Sequence, residues 1–453
     1  MADERLEDLE IKQEIKIETI SLVNYRFFCG DEISENNTLY CNGNNVLIYG
    51  ENGTGKSSVY KAIELLVTKK FSSLAKEGNI FNPDNTATIE FKFSNGHELI
   101  LSRDLEKIPE GMEYLENLSI FSPLLHYKKL LRVHYASNGN GKPINLFALL
   151  VDLFKDFPLE NGQRLSDITD TGKYFIELQR ILNEIVLDYT NQLLKEFDTD
   201  ITIQKFIYRG ELTEDKQQTV NIINAEIDFK ERTIDSFHTF LNEGRLSSLA
   251  ISLYFAAIKI IHSKLSVASL KILVLDDILL SFDFSNRVKL NEILEKEFSD
   301  FQIFFFTHEK TIYDAFKNNQ RILWEQIELY EDVSNENPIP IIKKGTTFFE
   351  RANEFLKRGT YDACANSLRK EAESICKNYL LARGEEIKGS LNSHLYKIRT
   401  LNLQNQSIIQ KIDKVLIYKD IVLNAGSHTG MQLYRQEIMD CMTALKNLKQ
   451  VLK

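Results

Sequence analysis

The chain of 453 residues carries 55 Lys and Arg against 65 Asp and Glu, and 43% of it is hydrophobic. That is ordinary globular composition, which excludes a disordered chain and leaves room for two or three domains. No apolar run reaches the ~20 residues of a membrane span, and the opening MADERLEDLEIKQEIK is charged where a signal sequence would be apolar, so a cytoplasmic protein without membrane association is expected.

Along the chain, Ile15 to Leu22 alternates as an edge strand does and leads into Asn24-Tyr25-Arg26-Phe27-Phe28. The next apolar run, Asn45 to Tyr49, ends in Gly50-Glu51-Asn52-Gly53-Thr54-Gly55-Lys56-Ser57, and Ser57 to Leu66 follows with Val59, Ala62, Ile63 and Leu66 at helical spacing. Strand, GxxxxGKS loop and helix in this order make a phosphate-binding loop. The glycines let successive N–H groups converge on phosphates, and the helix start adds its positive end. Lys56 is expected on the β- and γ-phosphates and Ser57, next to Ser58, on Mg2+. ATP and Mg2+ are the cofactors implied.

Tyr174 to Phe197 is the best helical stretch that follows, and Thr202 to Tyr208 and Thr219 to Ile222 read as strands, so a mixed lobe is expected over about residues 105–240. Phe240-Leu241-Asn242-Glu243-Gly244-Arg245 then opens a helix through Ser263 so apolar that it must be buried. Lys271 to Asp277 is an apolar strand that delivers two carboxylates at its end. Downstream of a phosphate loop, Asp276 would hold Mg2+ and Asp277 would orient and activate the attacking water. Ser281-Phe282-Asp283 comes next, then the apolar strand Phe301 to Thr307 ending in His308. Trp324 to Tyr330 is the last strand pattern.

This succession resembles the heads of ABC-type ATPases. Lys271 to Asp277 looks like their Walker B strand, Ser281-Phe282-Asp283 like the D-loop with Asp283 as its acid, and His308 like the switch histidine, which implies a hydrogen bond from His308 to the γ-phosphate. Leu241 to Arg245 resembles the LSGGQ signature, with Asn242 where serine is usual and Arg245 where glutamine is usual. The segment Leu125-His126-Tyr127-Lys128, where a Q-loop would lie, supplies no glutamine. The resemblance implies a homodimer with two ATP sandwiched head to tail, Asn242, Glu243 and Gly244 capping the partner's nucleotide, and it leaves a higher oligomer open. Asp277 stands where transporters have glutamate, and the shorter carboxylate implies slow turnover.

The opening segment resembles RecF and SMC heads more than transporters, and the shortness of Tyr174 to Phe197 excludes long SMC arms. FLNEGRLSSLAISLYFAA together with LVLDDILLSFDFSNR looks like the RecF-like ATPases of bacterial antiphage defence and the heads of PrrC- and RloC-type anticodon nucleases, over roughly residues 15–330. That likeness implies a sensor that controls a separately encoded nuclease or toxin. The alternative it leaves open is a RecF-like repair or recombination ATPase, with nucleic acid as the partner.

Residues 1–330 thus read as the head and 331–345, which includes the polar, proline-punctuated EDVSNENPIP, as a linker. Beyond it lie five amphipathic helical patterns: Thr347 to Lys357, Tyr361 to Leu381, Leu391 to Thr400, Asn405 to Leu423 and Leu433 to Leu452. The fold class expected is an α/β P-loop head of mixed sheets followed, over 346–453, by an all-α bundle. From residue 346 onward there are 17 Lys and Arg against 11 Asp and Glu, which leaves 38 against 54 for the rest. A basic unit on an acidic body suits nucleic acid, a solvated face or docking on its own neighbour equally well. Arg369 and Glu373 lie four apart on one helix, and His428 follows a later one. The three resemble the RNase site of PrrC-type anticodon nucleases, whose bundle is of the HEPN class, although the RxxxxH spacing of that class is absent; an inert docking bundle is the alternative. Five cysteines without a paired CxxC point to reduced thiols rather than disulfides or zinc.

Overall fold

The computed structural model describes residues 14–83, 85–134, 146–212, 219–234, 237–265, 270–279, 282, 284–317, 322–332, 334, 337–345, 347–381, 383, 385, 388–424 and 433–452. The chain divides into two units, Met1–Lys343 and Lys344–Lys453. Strands of the first unit are β1 (Ile17–Val23), β2 (Thr38–Tyr40), β3 (Asn45–Gly50), β4 (Thr88–Phe93), β5 (Glu98–Leu101), β6 (Leu124–His126), β7 (Ile201–Leu212), β8 (Thr219–Phe229), β9 (Arg232–Ile234), β10 (Ile272–Asp276), β11 (Gln302–Thr307), β12 (Trp324–Asp332) and β13 (Ile339–Lys344). Its helices are α1 (Lys56–Thr68), α2 (Tyr127–His134), α3 (Phe147–Phe154), α4 (Thr171–Ile181), α5 (Leu187–Glu196), α6 (Phe237–Phe240), α7 (Glu243–Ser263), α8 (Phe284–Glu297) and α9 (Lys310–Lys317).

Unbroken apolar runs such as IFFF in β11 and ILVL in β10 suit strands covered on both faces, and such strands favour parallel pairing. They form a sheet of order β13-β12-β3-β11-β10-β6, parallel from β12 through β6. Ile48, Phe306, Asp276 and His126 fall in one register row across β3, β11, β10 and β6. The loops leaving these strands therefore depart from one carboxyl edge, which is where parallel sheets bind ligands.

A second sheet, of order β2-β1-β4-β5, is antiparallel. β1 is not the edge strand its alternation suggests. It lies between β2 and β4, and beyond the end of β2 its first residue, Ile17, is tied to the six-stranded sheet. There the Gln302 side chain, 1% exposed, accepts from Ile17 N (2.7 Å) and donates to Ile17 O (2.8 Å) and Asn44 O (2.9 Å). One buried amide of β11 so satisfies backbone groups of β1 and of the residue that precedes β3.

The stretch expected as one helix over Tyr174 to Phe197 is α4 and α5 joined by a π turn at Leu182–Val186. It packs on the long β7-β8 hairpin, to which β9 adds a third strand. Two helix asparagines complete the open edge of β7. Asn183 Oδ1 accepts from Phe206 N (2.8 Å) and its Nδ2 donates to Phe206 O (3.0 Å), and Asn191 makes the same pair of bonds to Ile203, both at 2.9 Å. An edge covered in this way is closed to further strands.

α7 is, at 21 residues, long and apolar enough by length and composition to cross a membrane, contrary to the expectation that no segment is. It is instead largely buried as the core helix of the first unit. The segment expected to be a linker also departs from the reading, because residues 339–344 form β13, hydrogen-bonded beside β12. Pro340 lacks a donor, and an edge strand is where a sheet tolerates that.

In the second unit, α10 (Phe348–Lys357), α11 (Tyr361–Leu381), α12 (Leu391–Leu401), α13 (Gln406–Tyr418), extended by a π turn at Lys419–Leu423, and α14 (Arg435–Val451) follow the sequence pattern to within a few residues. A capping box starts α10: Thr347 Oγ1 accepts from Glu350 N (3.1 Å) and Glu350 Oε2 from Thr347 N (2.7 Å). Leu368, Ala372, Leu395, Ile398, Ile412, Val415, Ile438 and Leu445 build a core of its own. All five cysteines are free thiols.

Candidate active site

At the carboxyl edge of the six-stranded sheet lies a cleft of about 620 Å³, lined by Glu51, Asn52, Gly53, Gly55, Lys56, Ser57 and Ser58 from the phosphate loop, by Asp276 and Asp277, and by Phe27, Tyr60, His126 and Lys128 among others. Gly50 and Thr54 stand behind that lining. A Cβ on Gly50 would come within 2.4 Å of Thr54 Oγ1 and 3.2 Å of Leu329 Cβ, so only glycine fits between the loop and β12. Gly53 and Gly55 turn the loop through φ of 92° and 100°, conformations that glycine adopts without cost. Gly55 caps α1 with no side-chain hydrogen bond, so a helix start with uncapped N–H groups faces the cleft. Lys56 is 8% exposed, and its ammonium is held on the loop by the carbonyls of Gly50 and Glu51. Burial lowers its pKa, against the opposing pull of Asp277, Asp276 and Glu51.

Asp276 ends β10 at the cleft. Burial first, then repulsion from Asp277, pushes its pKa up to about 6, with Lys56 and His308 acting the other way. An anion so disfavoured is one that a divalent cation would relieve. With the Ser57 hydroxyl, the Lys56 ammonium and the α1 N-terminus nearby, the donor set fits Mg2+ and a triphosphate: oxygen ligands for a hard cation, N–H groups and a cation for the anion.

Asp277 sits one residue beyond the strand with φ of 52°, a left-handed conformation that Asp adopts more readily than most residues. Its N–H donates to Phe306 O (3.1 Å), and its Oδ1 accepts from His308 N (3.1 Å) and faces His308 Nδ1 at 2.8 Å. The histidine expected on a γ-phosphate is thus bonded to the second carboxylate. A carboxylate oxygen accepts, so the contact is the one an Nδ1–H tautomer of His308 makes. Both contacts fall on Oδ1.

The structure places Asn242, Glu243 and Gly244 away from this cleft. They start α7, Asn242 and Glu243 exposed, and Asn242 Oδ1 caps the helix by accepting from Arg245 N (2.9 Å). Arg245 turns back into its own chain, where Nε donates to Thr199 O (3.1 Å) and the guanidinium lies 4.9 Å over the Phe229 ring. Asp283 lies outside the described residues. His126, located by sequence but given no role there, lines the cleft in register with Asp276. Burial, then Lys129, lowers its pKa and keeps the imidazole neutral. The apolar pair Leu124-Leu125 before it is the signal that a strand delivers it.

In the second unit Arg369 Nε lies 3.4 Å from Glu373 Oε1, and its NH1 donates to Asn424 Oδ1 (3.3 Å). Arg369 and Glu373 are therefore together; His428 lies outside the described residues.

Neither a family model nor a curated sequence matches the chain. Among solved structures, an SMC head bound to the C-terminal winged helix domain of ScpA aligns with 73% of this chain and 98% of its own, at 11% identity and a TM-score of 0.43. The SMC head domain from Thermotoga maritima covers 73% and 99%, at 13% identity and a TM-score of 0.38. An SMC head with an extended coiled coil, bound to the C-terminal domain of ScpA derived from Pyrococcus furiosus, covers 76% and 99%, at 12% identity and a TM-score of 0.40. The chemistry of the site itself has to carry the function.

Proposed function

We propose that this chain is an ATP-binding and ATP-hydrolysing head of the ABC type, that it dimerises around its nucleotide, and that the dimer controls a nuclease or toxin effector in antiphage defence within the cytoplasm. The observation that carries the ATPase reading is the convergence, at one sheet edge, of a glycine-cradled helix start, Lys56, the Asp276-Asp277 pair and a histidine bonded to Asp277. The loop N–H groups and Lys56 hold the phosphates. Ser57 and Asp276 hold Mg2+, which when bound offsets phosphate charge. Asp277 takes the water proton, and His308 fixes the carboxylate through Oδ1.

The dimer reading is supported by the exposed start of α7, which offers Asn242, Glu243 and Gly244 to a second copy while lining no part of its own cleft. Asp277→Asn tests both together. With Mg2+ and ATP it should sediment as a stable dimer while phosphate release falls about 100-fold or more, the usual weight of a general base. A monomer, or release at the parent rate, sinks the proposal.

The effector reading rests on the likeness of the signature and Walker B segments and on a basic helical unit separate from the head. Phage plating on cells that express the chain with its genomic neighbours should show protection that Asp277→Asn removes; equal plating refutes it. A second reading, that the helical unit is itself an RNase, is favoured by the meeting of Arg369, Glu373 and Asn424 just ahead of the segment that carries His428. Toxicity that survives His428→Ala would exclude it.

A further inference from the structure

We propose that α8 couples the two nucleotide sites of the dimer, with Arg287 as its positioning residue; this rests on the sandwich-dimer reading above. In such a dimer each chain offers a hydrolytic cleft to one nucleotide and a signature turn to the other. The structure joins the two within one chain by a continuous set of directional contacts.

At the cleft, Asp277 holds the backbone and ring of His308. The next residue, Glu309, pairs through Oε2 with Arg287 NH2 at 3.4 Å. Arg287 Nε donates to Phe282 O (3.0 Å). A planar guanidinium can serve both acceptors at a fixed angle, which an ammonium cannot. The Phe282 ring, 3% exposed, meets Phe197 edge-on at 5.7 Å. Two residues beyond Arg287, Lys289 Nζ donates to the Phe197 carbonyl (3.0 Å). The N-terminal half of α8 thus grips the histidine loop with one side chain and the end of α5 with another.

From there the path to the signature is short. Asp198 and Asp200 are both left-handed, with φ of 54° and 56°, so the turn after α5 is tight around Thr199. Thr199 is 4% exposed, and its carbonyl accepts Arg245 Nε. The N–H of the same arginine is the one that Asn242 caps. The links are hydrogen bonds, an ion pair and covalent neighbours joined in series, so a displacement of the His308 loop is passed along α8 and the turn at Thr199 toward Asn242. Arg245, where the resemblance would place a glutamine for the partner's nucleotide, serves instead as the far anchor of this path. Occupancy of one site is thereby reported to the turn that caps the other, and by linkage the reverse holds.

Amide hydrogen exchange tests this inside a single chain, at a concentration where the Mg·ATP-bound protein sediments as a monomer. Mg·ATP should slow exchange in the α7 first turn, residues 243–247, by about fivefold, the lower end of ordinary coupling. Arg287→Gln should abolish that response with ATP affinity unchanged, and Arg287→Lys should restore only part of it. Glu309→Gln cuts the same link from its solvent side, so the test survives if the arginine variant does not fold. A turn that ignores ATP in the parent protein, or responds equally in both glutamine variants, overturns the coupling while leaving the ATPase reading intact. Absence of ATP binding would instead overturn the reading beneath it.

Discussion

Asp276→Asn should stabilise the nucleotide-free protein at neutral pH and remove its response to nucleotide. The folded-state pKa of Asp276 is raised to about 6 from 3.8, chiefly by burial. The fold therefore favours the protonated acid, so its contribution is intact below about pH 4 and is lost as pH rises through about 6. Roughly two pKa units at about 1.4 kcal/mol each set a ceiling near 3 kcal/mol on the penalty at pH 8. Asparagine keeps the shape and carries no charge, so the variant should gain between about 1 and 3 kcal/mol at pH 8 and nothing at pH 4. Urea unfolding followed by Trp324 fluorescence is the assay, because this single tryptophan is buried in β12 and reports the first unit alone. Saturating Mg·ATP should close most or all of this gap, adding about 2.7 kcal/mol to the parent at one hundred times Kd and much less to the variant. A variant no more stable than the parent at pH 8, or equally stabilised at pH 4, would refute the account of this carboxylate.

Gly50→Ala should leave the fold in place but weaken nucleotide binding about 10-fold or more, since its methyl must displace Thr54 or β12 at an overpacking cost of about 1–3 kcal/mol; calorimetry with unchanged affinity would contradict the cradle. Gly244→Asp should bind ATP as a monomer with parent affinity and fail to dimerise, because its carboxylate would meet the partner's phosphates; an ATP-dependent dimer in sedimentation would rule out capping in trans.

Wherever short-range chemistry decides structure, the sequence was readable. The loop from Gly50 to Ser57 declares itself by glycines at fixed offsets, Asp276 and His308 by their place at the ends of unbroken apolar runs, and the helices of the second unit by period and caps. What escaped depends on partners distant in the chain. Alternation in β1 could not reveal that Gln302 stitches the backbone of Ile17 to another sheet. Residues 331–345 read as linker from the polar, proline-punctuated EDVSNENPIP, although an edge strand accepts a proline such as Pro340. Asn183 and Asn191 read as ordinary helix residues, and only the bulged edge of β7 gives them a purpose. Arg245 reads as a variant signature residue, yet its guanidinium is taken up by the Thr199 carbonyl and the Phe229 ring of its own chain.

The most direct test of the central claim is calorimetric titration of Mg·ATP into the full chain and into Lys56→Ala. The Lys56 ammonium, buried in the loop and held by two carbonyls, is the principal point charge offered to the phosphates. One nucleotide should bind per protomer of the parent chain and none detectably to the variant. Equal affinity in the two proteins would contradict the assignment of this cleft as a nucleotide site.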